Sequence, residues 1–268
     1  MASPDAASSG HVAPPPPSLA QRAIDEVVAI LKAALWFVPL WIIFNAVAWA
    51  QYSIPSESMV PSMEVGDRVI VAKYAYGYSR FSLPVVWRLM PEENARLLYS
   101  EPKRGDVVVF AHPFDGRTMI KRVMGLPGDV IELRAGKLII NGEEATYREL
   151  RPVTRVPAER NRAWEEYPAR EYEETIAGRA HVGLDISGGQ SEGATYGPVT
   201  VPDGHFLMLG DNRDNSADSR FAGMGFVSKE RLIGRAETVI FAPKTCGSSP
   251  DVSCARKRWL EPLARPAS

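Results

Sequence analysis

Residues 33–50, AALWFVPLWIIFNAVAWA, form one uninterrupted run without a charge, whereas the apolar residues beyond it fall into short groups separated by turn residues. As a helix rising ~1.5 Å per residue, the run spans about 27 Å, close to the roughly 30 Å hydrocarbon core of a bilayer. The pattern therefore predicts a transmembrane helix over 33–50. Trp36, Trp41 and Trp49 lie partly towards its ends, and Pro39 and Asn45 are tolerated within a spanning helix. Ala48-Trp49-Ala50 also fits a small-x-small cleavage site, so a removable signal peptide is the competing reading. The run exceeds the about 7 to 15 residues of a signal core, and the segment before it is only weakly basic, which favours a retained anchor. Residues 21–32 read as a juxtamembrane segment, and residues 1–20, small, polar and Pro-rich, as a tail unable to bury a core. Arg22 and Lys32 precede the run while the next basic residue is Arg68, which puts the N-terminus on the cytoplasmic side.

From residue 51 to 268 the pattern predicts a mainly β domain with few short helices. Short, largely β-branched groups at 69–72, 107–110, 119–124, 130–133, 138–140, 206–209 and 238–241 read as strands. IELRAGKLIING reads as a hairpin turning at Ala135-Gly136, and SKERLI as a short helix capped by Ser228. Between about 142 and 197 the chain changes to alternating Glu and Arg and then a Gly-rich run, with little apolar periodicity; it reads as a solvated insertion.

Composition narrows the chemistry. The protein is 45% hydrophobic and 24% charged, with 31 Lys and Arg against 32 Asp and Glu, which excludes a disordered chain and offers no electrostatic footprint for nucleic acid. Its four His (His11, His112, His181, His205) and two Cys (Cys246, Cys254) have no metal-site spacing, so neither a metal nor another cofactor is expected.

A Ser-His-Asp hydrolase is disfavoured, because the histidines sit in ordinary contexts and no GxSxG elbow occurs. A Ser-Lys hydrolase needs a lysine that burial keeps neutral. In TMIKRVMG, period-two alternation places Met119, Lys121 and Val123 on one face and Ile120 and Arg122 on the other. Lys121 thus shares an apolar face, yet an ammonium that snorkels to solvent or pairs with an acid fits the same pattern. Ser100-Glu101-Pro102-Lys103 matches S-x-x-K, but Pro102 disfavours the helical turn which that motif needs and no Lys-Thr-Gly accompanies it.

Four motifs carry a resemblance. Ile54-Pro55-Ser56-Glu57-Ser58-Met59-Val60-Pro61-Ser62-Met63 with Gly66-Asp67, then RGDVVVF from Arg104, KRVMGLPGD from Lys121 and GDNRDNSADSR from Gly210 follow an apolar run in the order found in bacterial type I signal peptidases, which this chain resembles. The resemblance implies a membrane-bound serine endopeptidase of the bacterial inner membrane, with a mostly β catalytic domain on the extracytoplasmic side. It would remove signal peptides from exported preproteins after small-x-small sites.

Residue by residue, the resemblance implies Ser58 as nucleophile and Lys121 as general base. Ser56 and the Ser58 N–H would form the oxyanion hole, and Ser216 would orient the lysine. Asp218 and Arg220 would support the loop, although a surface salt bridge, whose loss would be mild, fits the same pair. Ile54, Pro55, Met59, Met119, Ile120, Met208 and Leu209 would lie near the substrate pockets. Glu57 departs from the usual small residue between the two serines, and Met119 from a frequent aromatic. With an extracytoplasmic domain, Cys246 and Cys254 are expected to form a disulfide. Ser58 lies within about 28 Å of Ala50 even along a fully extended chain, so a nucleophile there works near the bilayer surface.

Two rivals stand beside this reading. A Ser-Lys self-cleaving repressor would need a DNA-binding N-terminal domain in place of the apolar run. A catalytically inactive, tethered β domain would need a defect despite the presence of both Ser58 and Lys121.

Overall fold

The computed structural model describes residues 18–82, 96–155, 166–241 and 260–263. They fall into two units, Met1–Phe44 and Asn45–Ser268. Helix α1, Leu19–Ala48, begins well before the charge-free run and ends two residues short of it. The chain leaves the helix at Trp49, which starts strand β1, Trp49–Ser53, paired with β2, Arg68–Ala72. The helix is long and apolar enough to cross a membrane. Its large side chains, among them Trp36, Phe37 and Ile43, are exposed.

The second unit is mainly β. Its largest sheet has eight antiparallel strands in the order β1-β2-β14-β3-β4-β12-β13, where β3 is Val107–Ala111, β4 Thr118–Gly125, β12 His205–Leu209, β13 Val227–Ser228 and β14 Leu232–Phe241; β15, Glu261–Pro262, pairs with β14. Alternation explains how this sheet is covered on both faces. In β3, Val107 and Val109 join Ile54, Met59, Val69, Val71 and Ile120 in one core, while Val108 and Phe110 join Val123, Phe206 and Met208 in another. A second sheet, β11-β5-β6-β7, contains β5, Val130–Arg134, β6, Lys137–Ile140, β7, Glu143–Glu144, and β11, Tyr196–Thr200. It buries Ile131, Leu133, Leu138 and Ile140 against Leu207 and Leu209. The β5–β6 hairpin turns at Ala135-Gly136 as expected, and both residues take positive φ, 46° and 81°, as a tight primed turn requires.

One expectation fails, and another stretch is more ordered than expected. SKERLI forms a single 3-10 turn, Lys229–Arg231, without a side-chain cap from Ser228, because Leu232 and Ile233 pass straight into β14 and are buried there. Sheet burial outweighs a local cap signal. The stretch at 142–197, though exposed along much of 146–155, has more regular structure than its weak apolar periodicity suggests. It carries β8, Thr146–Arg155, β9, Tyr167–Ile176, and β10, Arg179–Asp185, as a three-stranded antiparallel sheet. The Glu/Arg alternation is a cross-strand ladder: Arg148 faces Glu173 and Arg151 faces Glu171, each joined at 2.8 Å. On the same sheet Val153, Ala169, Glu174 and Ile176 are buried.

Candidate active site

Ser58 lies in a short 3-10 turn, Glu57–Met59, that follows β1, and Lys121 lies in the middle of β4. Met59, fully buried in the core, anchors the turn. On β4, Lys121 opposes Val108 and Met119 opposes Phe110, so Lys121 occupies the apolar face that the sequence pattern indicates. Its ammonium does not snorkel: Lys121 is 2% exposed, with Nζ 2.5 Å from Ser58 Oγ and 3.0 Å from the Ile120 carbonyl. Burial holds its pKa down at about 8, although Asp218 and Asp211 pull it back up; Arg117 adds to the lowering. Ser56 Oγ stands 3.4 Å from Ser58 Oγ.

The two side chains open into a cleft of about 420 Å³. Of the residues that sequence reasoning assigned to pockets, Ile54, Pro55, Met119 and Ile120 line it. Met59, Met208 and Leu209 do not; they are fully buried in three different core clusters. Met59 points from its 3-10 turn into the core, and Met208 and Leu209, neighbours on β12, enter cores on opposite faces of the sheet. Tyr52, Val109, Glu57 and Asn215 complete walls that sequence reasoning did not assign.

The 210–220 loop closes the site from the other side. Asp218 and Arg220 are no surface pair: both side chains are almost fully buried and joined by two hydrogen bonds of 2.8 and 2.9 Å. Asp218 also accepts from the Gly210 N–H, and Arg220 donates to the Arg213 carbonyl. Asn212 N–H donates to the Ser58 carbonyl, and its side chain to the Glu57 carbonyl. Ser216 is buried against Gly210, where a Cβ would also strike the Ser58 carbonyl, so the loop needs glycine there. The Ser216–Lys121 hydrogen bond that the resemblance implies is not formed; among the described residues Ser216 Oγ has no partner. Cys246 and Cys254 lie outside the described residues.

Two supports were not read from the sequence. Arg122, beside Lys121, forks onto buried Asp211 at 2.7 and 2.6 Å and so ties β4 to the loop. Burial would raise the Asp211 pKa, yet Arg122 holds it below its ordinary value. The three-stranded sheet braces the loop as well: Leu184 N–H donates to the Asp211 carbonyl, Asp214 accepts from the Ile186 and Ser187 N–H groups, and Glu174 binds Arg213 and His181. Burial alone would raise the Glu174 pKa, but Arg213 and then His181 outweigh it and hold the group at about 2. The adjacency of Arg122 to Lys121, and of Asp211 to Gly210 in the repeated acidic loop, were the signals available.

Residues 26–241 match the model of the family described as signal peptidase, peptidase S26. Signal peptidase I of Pseudomonas fluorescens is 33% identical over 247 residues, 87% of this chain and 80% of that protein. Signal peptidase I of Rickettsia canadensis is 31% identical over 242 residues, 86% of this chain and 88% of its own length. A solved signal peptidase I from Enterococcus faecalis is 27% identical, with 51% of this chain and 97% of that one covered at a TM-score of 0.30.

Proposed function

The chain belongs to the signal peptidase family, peptidase S26, serine endopeptidases that cleave signal peptides, and from that premise we propose that Ser58 and Lys121 form its catalytic dyad. The observation that carries the proposal is the 2.5 Å approach of Lys121 Nζ to Ser58 Oγ inside a buried, cleft-facing pocket. A lysine whose pKa lies near 8 is partly neutral at working pH, and the neutral amine accepts the serine proton as Oγ attacks the scissile carbonyl. The Ser56 hydroxyl and the Ser58 N–H donate to the developing oxyanion. Collapse of the tetrahedral intermediate breaks the C–N bond, and protonated Lys121 returns the proton to the leaving amine. Lys121 then deprotonates the water that hydrolyses the Ser58 ester.

Supporting roles follow from the surroundings. The Asp218–Arg220 pair and the Arg122–Asp211 fork fix the loop and the strand against each other. A neutral lysine has one N–H left after bonding the Ile120 carbonyl, and Ser216 is a buried hydroxyl in need of a partner; we assign Ser216 the role of orienting Nζ.

Ile54, Val109, Met119 and Ile120 give the cleft an apolar wall suited to small side chains, which supports cleavage after small-x-small sites. The substrate would lie extended along the 54–58 segment and use main-chain hydrogen bonds. Helix α1 serves as a single-pass anchor in the bacterial inner membrane, with the N-terminus cytoplasmic and the β unit outside. The test is cleavage of a preprotein by the full-length protein in detergent micelles, with sequencing of the new N-terminus. Release after Ala-x-Ala, and loss of release when the last Ala becomes Leu, is the expected result; a Ser58→Ala variant that still cleaves overturns the dyad.

A further inference from the structure

Glu57 stands between the two serines of the site and is buried, yet it faces the cleft. Its carboxylate accepts from Asn215 Nδ2 at 3.2 Å, and its carbonyl from Asn212 Nδ2 at 3.3 Å. The side chain is therefore held in place by the 210–220 loop and does not swing freely. The cleft lining is mixed: Ile54, Met119 and Ile120 form an apolar part, and Glu57, tied to Asn215 of the 210–220 loop, forms a polar part next to Ser58. Tyr167 of β9 senses the same charge, because its hydroxyl pKa is raised first by burial and then by Glu57.

If the residues before the cleaved bond occupy the apolar part, those after it leave Ser58 on the side of Glu57 and Asn215. This step rests on the dyad and substrate direction proposed above. We propose that Glu57 is a specificity-determining residue that rejects acidic side chains at the first and second positions after the cleaved bond. Glu57 is itself buried beside this open cleft, so repulsion from it is screened less than repulsion between two surface charges. Arg117, which also lines the cleft, is exposed and already shared with Asp115 at 3.4 Å, so its field is weaker there. Rejection by an unfavourable charge needs no new attractive contact.

The experiment uses the full-length protein in neutral detergent micelles and a peptide series with an Ala-x-Ala site followed by Ala, Asp or Lys at the first or second position, plus a set with the same three residues at the x position. The expected kcat/KM for Asp after the bond is about tenfold below that for Ala, with Lys no worse than Ala, and no such spread at x. In Glu57→Gln, which keeps an acceptor for Asn215, the Asp-to-Ala ratio should rise to within about twofold of unity; Glu57→Gly gives the same reading should the first variant not fold. Equal rates for Asp and Ala in the wild-type protein, a spread confined to x, or a ratio unchanged in folded variants would overturn the assignment. Failure of the wild-type protein to cut even the Ala peptide would instead overturn the underlying function, and this inference with it.

Discussion

Lys121 Nζ and Ser58 Oγ, 63 positions apart in the chain, meet at 2.5 Å in the lining of the cleft. Neither group is reactive alone, because an isolated serine is a poor nucleophile and a solvated lysine is protonated. Ser58→Ala and Lys121→Ala should each lower kcat by at least ~10³-fold, and the double variant should be no worse than either. Lys121→Arg should fail equally, since a guanidinium stays protonated. Replacement of His112, His181 and His205 should leave cleavage in a protein that a thermal melt shows to be folded. Robust turnover by Lys121→Arg would exclude lysine as base.

The pH profile follows from the depressed lysine. With its pKa near 8 and the neutral form active, kcat/KM should rise with pH, about tenfold per unit below 8, and level off above it. A profile already flat between pH 6 and about 9 would point to another base.

The same burial costs stability. Folding disfavours the ammonium of Lys121, so its penalty is present in full below about 8 and fades as pH rises towards 10.5. Lys121→Met should therefore abolish cleavage yet stabilise the fold at pH 7, by up to roughly 3 kcal/mol. Denaturant melts of the two proteins at pH 7 and at about pH 10 should show the difference shrinking at the higher pH.

Removing one partner of the buried Asp218–Arg220 pair should cost about 3–5 kcal/mol, because the other charge is left buried and alone. Arg134→Ala, which breaks an exposed pair with Glu132, should cost no more than about 1 kcal/mol. Thermal melts of Arg220→Ala and Arg134→Ala distinguish the two cases, and equal effects would contradict the burial of the first pair.

Glu174 links the three-stranded sheet to Arg213 of the loop. Its carboxyl is held at about 2, below the ordinary 4.5, so its contribution is complete above about 4.5 and is lost as pH falls towards 2. Glu174→Gln should lose stability at pH 7 and flatten the acid limb of the stability curve. Cleavage should fall as well, since Arg213 shares the loop with Ser216 and Asp218. A variant as stable and as active as the parent would mean that the sheet does not brace the site.

Much of the fold was legible locally. The strands at 107–110 and 119–124 and the Ala135-Gly136 hairpin follow from period-two alternation and turn chemistry, and they recur at or near those bounds. The three-stranded sheet was missed because its alternation is polar against polar: Arg148–Glu173 and Arg151–Glu171 replace the apolar stripe by which a strand is ordinarily read. Glu174 illustrates the limit, since a fully buried glutamate is indistinguishable in sequence from the partly exposed Glu173 beside it.

By itself, then, the sequence determined the apolar helix, the β character and the ordered motifs that contain Ser58, Lys121 and the 210–220 loop, because each is written in residue types at short spacing. Only the tertiary structure decided that Lys121 is buried beside Ser58, that Asp218 and Arg220 face inward, that Met59, Met208 and Leu209 serve the core, and that Glu57 is part of the cleft lining. Burial and approach depend on which distant strands pair, such as β3 with β4 and β14, and a local pattern carries no record of its long-range neighbours.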